Sequence, residues 1–276
     1  MDTTKTITHL SLCTGYEGIG LGLRRVLPNL REIAYVEREG FACSNLVAKM
    51  EAGELDAAPV FTDVKTFPYG KFRGCVDILS GGFPCQPFSA AGKRQATEDP
   101  RHLFPYIRDG IRDCKPRIVF LENVEGIISA KTGDGESVLQ YVLRELEGLG
   151  YRATAGVFSA SEVGAPHQRK RVFILGVRHE LVNTNSKGLQ GYGESRKLKV
   201  SQGWQGTQRH FAAEHILFPA RPNEPQHKWE EPRVKSRLGR ATNGTASRVD
   251  RLRLLGNGVV PATAAKAFLT LINRFL

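Results

Sequence analysis

Along the first 178 residues, short apolar runs alternate with stretches whose apolar positions recur three and four residues apart. The runs are Thr8–Cys13, Glu32–Val36, Pro59–Thr62, Val76–Leu79, Arg117–Leu121, Arg152–Phe158 and Val172–Val177, and each reads as a buried strand. Between the fifth and sixth, Val138, Leu139, Val142, Leu143, Leu146 and Leu149 fall at helical spacing and predict a helix packed on the core. Strands alternating with helices predict an α/β fold with a doubly wound sheet. From Asn183 to about Asn243 the texture changes to Gly, Gln, Ser, Pro, Lys and Arg with weak periodicity, interrupted by Trp204, Phe211, Phe218 and Trp229. This predicts a small, loop-rich lobe. Regular patterning resumes at Arg248–Leu255, and Pro261–Leu276 predicts a closing amphipathic helix. The expected organisation is one domain over 1–179, a lobe over 180–247, and a return to the first domain over 248–276.

Composition narrows the class. The 276 residues are 41% hydrophobic, enough for a substantial core. The net charge of +11 is unevenly placed: residues 1–180 hold 23 Lys and Arg against 22 Asp and Glu, while 181–276 hold 16 against 6. A basic excess confined to one end fits a polyanion, and nucleic acid is the leading partner. Five scattered cysteines without a CxxC pair signal neither a zinc site nor a disulfide framework. They fit reduced thiols in a cytosol. The polar N-terminus lacks a signal-peptide pattern. No apolar run is expected to approach the ~20 residues that cross a bilayer.

Four segments carry chemistry. Gly82-Phe83-Pro84-Cys85-Gln86-Pro87-Phe88-Ser89 follows the fourth run, which sets Cys85 just past the carboxyl end of a strand. Ligands of open α/β sheets bind at that edge, and two prolines restrict the backbone around the thiol. A nucleophile on a stiff turn and an ordinary proline-bracketed turn both fit this segment alone. Leu10 to Leu23 runs from a strand through Cys13-Thr14-Gly15-Tyr16-Glu17-Gly18-Ile19-Gly20 into a helix, an arrangement that lets backbone approach a nucleotide. Glu37 and Asp63 end the next two strands, and together with the glycine turn they favour an adenosine-containing cofactor. Singly, each is more often a helix cap. In Phe120-Leu121-Glu122-Asn123-Val124, Glu122 closes a strand at the same edge and is suited to hold a proton. In His167-Gln168-Arg169-Lys170-Arg171-Val172, Arg169 and Arg171 alternate into a strand and are expected on one face.

In this order, with Gly256-Asn257-Gly258-Val259-Val260-Pro261 near the end, these segments resemble the DNA (cytosine-5) methyltransferases over most of the chain. The resemblance implies a Rossmann-like S-adenosylmethionine-dependent methyltransferase sheet with a target-recognition lobe over 180–247. It implies Cys85 as nucleophile, Glu122 on the cytosine ring, Asn123 fixing the loop, and Arg169 and Arg171 orienting base and cysteine. S-adenosylmethionine would meet Cys13, Thr14, Gly15, Tyr16, Gly18, Ile19, Glu37, Asp63, Val64, Gly82, Pro84, Asn257 and Val259. The loop 86–103, with Gln86, Ser89, Lys93 and Arg94, would close over double-stranded DNA carrying a flipped cytosine. A cytoplasmic monomer is expected, in a restriction–modification system, as an orphan, or phage-borne. Three positions depart from the pattern: Cys13 stands where many members have Phe, Glu17 where a glycine is usual, and His167 where many have Gln. A transfer RNA cytosine methyltransferase on the same scaffold and a catalytically silent DNA-binding homologue are the rival readings. A nicotinamide dehydrogenase lacks the right glycine spacing.

Overall fold

The computed structural model describes residues 6–84, 103–179, 225 and 245–275. All seven apolar runs become strands: β1 (Ile7–Leu12), β2 (Leu30–Val36), β3 (Val60–Phe61), β4 (Ile78–Gly82), β5 (Ile118–Val124), β6 (Tyr151–Phe158) and β7 (Arg171–Arg178). They form one sheet in the order β3-β2-β1-β4-β5-β7-β6. Pairing is parallel as far as β5, and β7 is antiparallel to both of its neighbours. The sheet order turns back at β1, between β2 and β4, and the carboxyl ends of strands at such a switch point form a natural crevice.

Side-chain alternation divides the core into two layers. Leu10, Leu12, Leu79, Val119, Leu121, Val172 and Ile174 face one cluster, shared with the helices α3 (Phe104–Cys114) and α4 (Val138–Gly148). Ile78, Ile118, Phe120, Phe173 and Leu175 face the other, shared with α1 (Gly18–Val26) and with the last helix. On that second face Phe120 stacks on Phe173 with ring centroids 5.4 Å apart and meets Phe268 edge-on at 5.2 Å. Such pairs add about 0.5–1.5 kcal/mol each beyond the area they bury. The helix α2 (Gly40–Glu51) follows β2 and buries Leu46 against Tyr35 and Leu55.

Two helices end the chain, α5 (Thr245–Asn257) and α6 (Pro261–Ile272). The sequence predicts α6 as amphipathic, whereas nine of its residues are buried and only a narrow strip, including Lys266 and Thr270, reaches solvent. The cause is its place, wedged between α1 and the strands β6 and β7. Gly22 permits the approach: a Cβ there would stand 2.7 Å from the Ala264 Cβ and 2.5 Å from the Pro261 carbonyl oxygen. Arg253–Ile272 also corrects the expectation that no apolar run approaches the span of a bilayer, having 20 residues and a mean hydropathy of 1.3. It consists of two helices separated at 258–260 and is 61% buried, so its apolarity serves the core.

Two further expectations change. β5 continues two residues past Glu122, because β7 pairs with it as far as Val124, so Glu122 lies inside the strand and does not close it. β3 has only two residues, which leaves Asp63 beyond its end.

Candidate active site

The antiparallel entry of β7 builds the centre of the site. Its register sets Arg171 opposite Val124 and Phe173 opposite Glu122, so the amino end of one strand meets the carboxyl end of the other. Arg171 Nε lies 3.0 Å from Glu122 Oε1. Glu122 is only 5% exposed, and burial pushes its carboxyl up to about 7 against the opposing pull of Arg171 and then Arg169. A carboxyl with that balance can hold or release a proton near neutrality.

Asn123, one residue on, points to the opposite side of β5. Its Nδ2 donates to the Phe83 carbonyl at 2.9 Å and its Oδ1 accepts from the Val124 N–H at 2.8 Å. The segment leaving β4 is thereby tied to β5 immediately before Pro84, which is exposed. Cys85, Gln86, Ser89, Lys93 and Arg94 lie outside the described residues, as does almost all of the lobe over 180–247.

Arg169 corrects the alternation argument. It precedes β7 in a left-handed turn with φ 37°, so no strand periodicity relates it to Arg171. Its Nη2 donates to the Gly256 carbonyl at 2.5 Å and also to the Gly258 carbonyl. The guanidinium thus caps the carbonyls that end α5, which makes Arg169 a positioning residue for the Gly256-Asn257-Gly258 segment.

The glycine-rich turn lies beside this centre. Cys13 and Gly15 are both left-handed, with φ 48° and 58°. Gly15 N–H donates to Glu37 Oε2 at 2.7 Å, and Glu39 N–H donates to Glu37 Oε1 at 2.8 Å. Thr14 is fixed by its N–H and its hydroxyl, both donating to the Val36 carbonyl. The Cys13 thiol is pushed up to about 12 by burial, then by Glu37 and Asp63, so these three residues converge and the thiol stays protonated. Asp63 Oδ1 accepts from the Lys65 N–H at 2.9 Å, and the adjoining Val64 is buried.

Gly82 joins the two halves: a Cβ there would stand 3.1 Å from Glu122 Oε2 and 4.0 Å from Ile19 Cδ1. On the other flank, Gly18 packs on the Val259 backbone, where a Cβ would overlap the carbonyl. The Tyr16 hydroxyl donates to Val259 O, and its ring lies against Gly258. Val259 is buried and Asn257 is exposed. The left-handed residues Cys13 and Gly15 and the acidic pair Glu37 and Asp63 leave a polar cradle that an adenosine-bearing group fits.

Several contacts were not legible in advance. Lys49 donates to the Tyr16 carbonyl at 3.4 Å with its ammonium 5.6 Å from the Tyr16 ring centroid. Arg253 Nη2 pairs with Glu39 Oε1 at 3.0 Å, linking α5 to the loop after β2. A buried group of His9, Glu17 and Glu32 lies beneath the turn. The only hint of it in the sequence is the polar alternation of His9 and Ser11 within an apolar strand.

The sheet order, the cradle and the desolvated carboxyl–guanidinium pair define an α/β protein with a ligand crevice at the carboxyl edge of its sheet. The chain belongs to the C-5 cytosine-specific DNA methylase family, whose model matches residues 7–237. It is 31% identical over 183 residues to Type II methyltransferase M.PspPI of Psychrobacter sp. (strain TA137), covering 66% of this chain and 42% of that protein. It is also 31% identical over 206 residues to Type II methyltransferase M.NgoMIV of Neisseria gonorrhoeae, covering 72% and 63%. The chain therefore spans less than two thirds of the length of these relatives. Among solved structures, the S. pombe Dnmt2 methyltransferase shares the fold with a TM-score of 0.52 at 21% identity, over 68% of this chain and 58% of that one.

Proposed function

We propose that the protein is a site-specific DNA (cytosine-5) methyltransferase, moving a methyl group from S-adenosylmethionine to carbon 5 of a cytosine flipped out of duplex DNA. The observation that carries this reading is the Glu122–Arg171 pair, 3.0 Å apart and desolvated, next to an asparagine that ties down the strand leading to Pro84 and Cys85. Membership of the family supports it.

Cytosine carbon 5 is a weak nucleophile, and the chain must raise its electron density. The Cys85 thiolate adds to carbon 6, forming the carbon–sulfur bond and sending the ring π electrons towards carbon 5 and ring nitrogen 3. Glu122, carrying a proton at its raised value, hands it to ring nitrogen 3 and accepts from the exocyclic amino group, which stabilises the charge developing there. Arg171 keeps Glu122 in place and faces the base carbonyl. S-adenosylmethionine, when bound by Glu37, Asp63 and the main chain at 13–15, supplies the methyl group. A base then removes the proton from carbon 5, the carbon 6–sulfur bond breaks, the Cys85 thiolate leaves, and ring nitrogen 3 returns its proton to Glu122. Such chemistry requires the base out of its stack. The lobe over 180–247 and the loop with Gln86, Ser89, Lys93 and Arg94 are assigned to DNA contact, in a cytoplasmic protein acting as a monomer.

The test is bisulfite sequencing of plasmid DNA incubated with S-adenosylmethionine and either the protein or Cys85→Ala. Protected cytosines in one short context, absent with the variant, are the expected result. A folded, cofactor-binding protein that protects none overturns the proposal. Transfer of labelled methyl groups to transfer RNA in the same assay would then identify the other substrate.

A further inference from the structure

We propose that His9, Glu17 and Glu32 form a buried site for one divalent transition-metal cation beneath the turn over residues 13–17. The three side chains come from three elements: His9 from β1, Glu32 from β2, and Glu17 from the left-handed residue that starts α1. One ligand atom from each lies within 4.8 Å of the other two, and all three side chains are buried. His9 Nδ1 stands 3.8 Å from Glu17 Oε1 and 3.6 Å from Glu32 Oε1. These separations are too long for hydrogen bonds. They are a few tenths of an ångström wider than the ~3.4 Å edge set by bonds of about 2.1 Å at tetrahedral angles.

Two independent observations point to a ligand there. His9 Nδ1 and Glu17 Oε1 are both buried without a hydrogen-bond partner, and they face each other. Each is also held by its other atom in the way that orients metal ligands. His9 Nε2 is 2.8 Å from Ser80 Oγ, which leaves Nδ1 to carry the lone pair when Nε2 is the donor. The Ser11 hydroxyl donates to Glu17 Oε2 at 2.7 Å, which turns Oε1 towards His9.

Charge agrees with geometry. Arg24 bonds Glu32 and Asp56, so it offsets one of the three carboxylates of Glu17, Glu32 and Asp56. The carboxyl groups of Glu17, Glu32 and Asp56 thus outnumber the one guanidinium that bonds them, which favours a bound cation. One imidazole with two carboxylates suits Zn²⁺ or Mn²⁺ rather than a soft thiolate-seeking metal. The ion would join β1, β2 and the first turn of α1, and would explain why a glutamate occupies a left-handed position where glycine is unstrained.

Metal content tests this without reference to methyl transfer. The full chain is stripped with a chelator, loaded with Zn²⁺ alone, passed through gel filtration, and analysed by mass spectrometry of the metal. Glu17→Gly and Ser80→Ala are run beside it, with circular dichroism to verify folding. Glycine suits the backbone at position 17, so that variant is expected to fold. The expected result is one retained Zn²⁺ per chain, lost in Glu17→Gly and bound about 10–100-fold more weakly in Ser80→Ala. Absence of retained Zn²⁺ in the wild-type chain overturns the site in favour of a proton shared between His9 and the two carboxylates. Equal retention by folded Glu17→Gly also overturns it, because the metal would then be bound elsewhere.

Discussion

Glu37 and Glu122 are both buried at the carboxyl edge of one sheet, yet they are held in opposite ways. Each oxygen of Glu37 accepts one backbone N–H, from Gly15 and from Glu39. Those donors belong to the main chain and cannot swing away, so the carboxylate is held in one orientation. Glu122 has instead a guanidinium on one oxygen and is buried, and its carboxyl is raised to about 7. Backbone donors make a fixed acceptor, whereas desolvation opposed by the guanidinium groups of Arg171 and Arg169 makes a group able to change its protonation state. The same side chain is thus suited to recognition at one position and to proton transfer at the other.

Glu122→Gln breaks this contrast most directly. Glutamine keeps the shape and can still accept from Arg171, but it cannot deliver a proton. Methyl transfer should fall by about 10²–10⁴-fold, while the affinity for S-adenosylmethionine, measured by calorimetry, should change little. A comparable loss of cofactor affinity would mean that Glu122 helps to hold the cradle, and the division between the two carboxylates would fail.

The same substitution has a second expected effect, on stability. Glu122 titrates at about 7 in the folded chain and in the ordinary carboxyl range, about 4.3, when unfolded. Between those values the folded state binds more protons than the unfolded state. Its contribution is therefore fully present below the lower value and is lost as pH rises towards 7. From pH 5 to pH 8 the wild-type chain should lose about 2–3 kcal/mol of unfolding free energy relative to Glu122→Gln, read from urea melts of both proteins. Comparing the two chains cancels the titration of every other group. Parallel pH profiles would show that burial does not raise Glu122.

Glu37→Ala probes the other side. It removes an acceptor assigned to the ribose and also leaves the Gly15 N–H without its partner. A hydrogen bond to a charged group is worth about 1.5–3 kcal/mol, so cofactor affinity should weaken roughly 10–100-fold. Turnover at saturating cofactor should stay within a few-fold of wild type. A large fall in turnover with unchanged affinity would move Glu37 out of the recognition role.

The sheet was legible chiefly because its central strands β4, β5 and β7 are near-continuous runs buried on both faces, and such runs stand out whatever their neighbours are. Boundaries were less so. The sequence puts Glu122 at a strand end because a charged residue interrupts the apolar run, but the antiparallel partner carries pairing on to Val124. Arg169 and Arg171 illustrate the same limit: a spacing of two reads as one face only if both residues are extended, and Arg169 is left-handed. The group of His9, Glu17 and Glu32 was illegible for a different reason. It needs the pairing of β1 with β2, a relation across the sheet that no local pattern encodes. The character of α6 likewise follows from its being enclosed by α1 and the sheet, since its own alanine-rich sequence shows only moderate amphipathic contrast.

The smallest expected effect belongs to Tyr16→Phe. The Tyr16 hydroxyl donates to Val259 O, and burial, opposed by Arg169, holds its titration above the usual value, so it remains a donor at neutral pH. Phenylalanine keeps the ring against Gly258 and removes only that bond, which should cost about 1 kcal/mol of stability. Arg169 also bonds the Gly256 and Gly258 carbonyls, so the segment should keep its place. Cofactor affinity should therefore weaken by less than the Glu37 variant does, and thermal unfolding should resolve the loss more clearly than kinetics. If Tyr16→Phe weakens cofactor binding as much as Glu37→Ala, the recognition side rests on the contact between the turn and the C-terminal segment. Glu37 would then be one of several supports, and the fixed acceptor contrasted with Glu122 would have to include the Tyr16–Val259 bond.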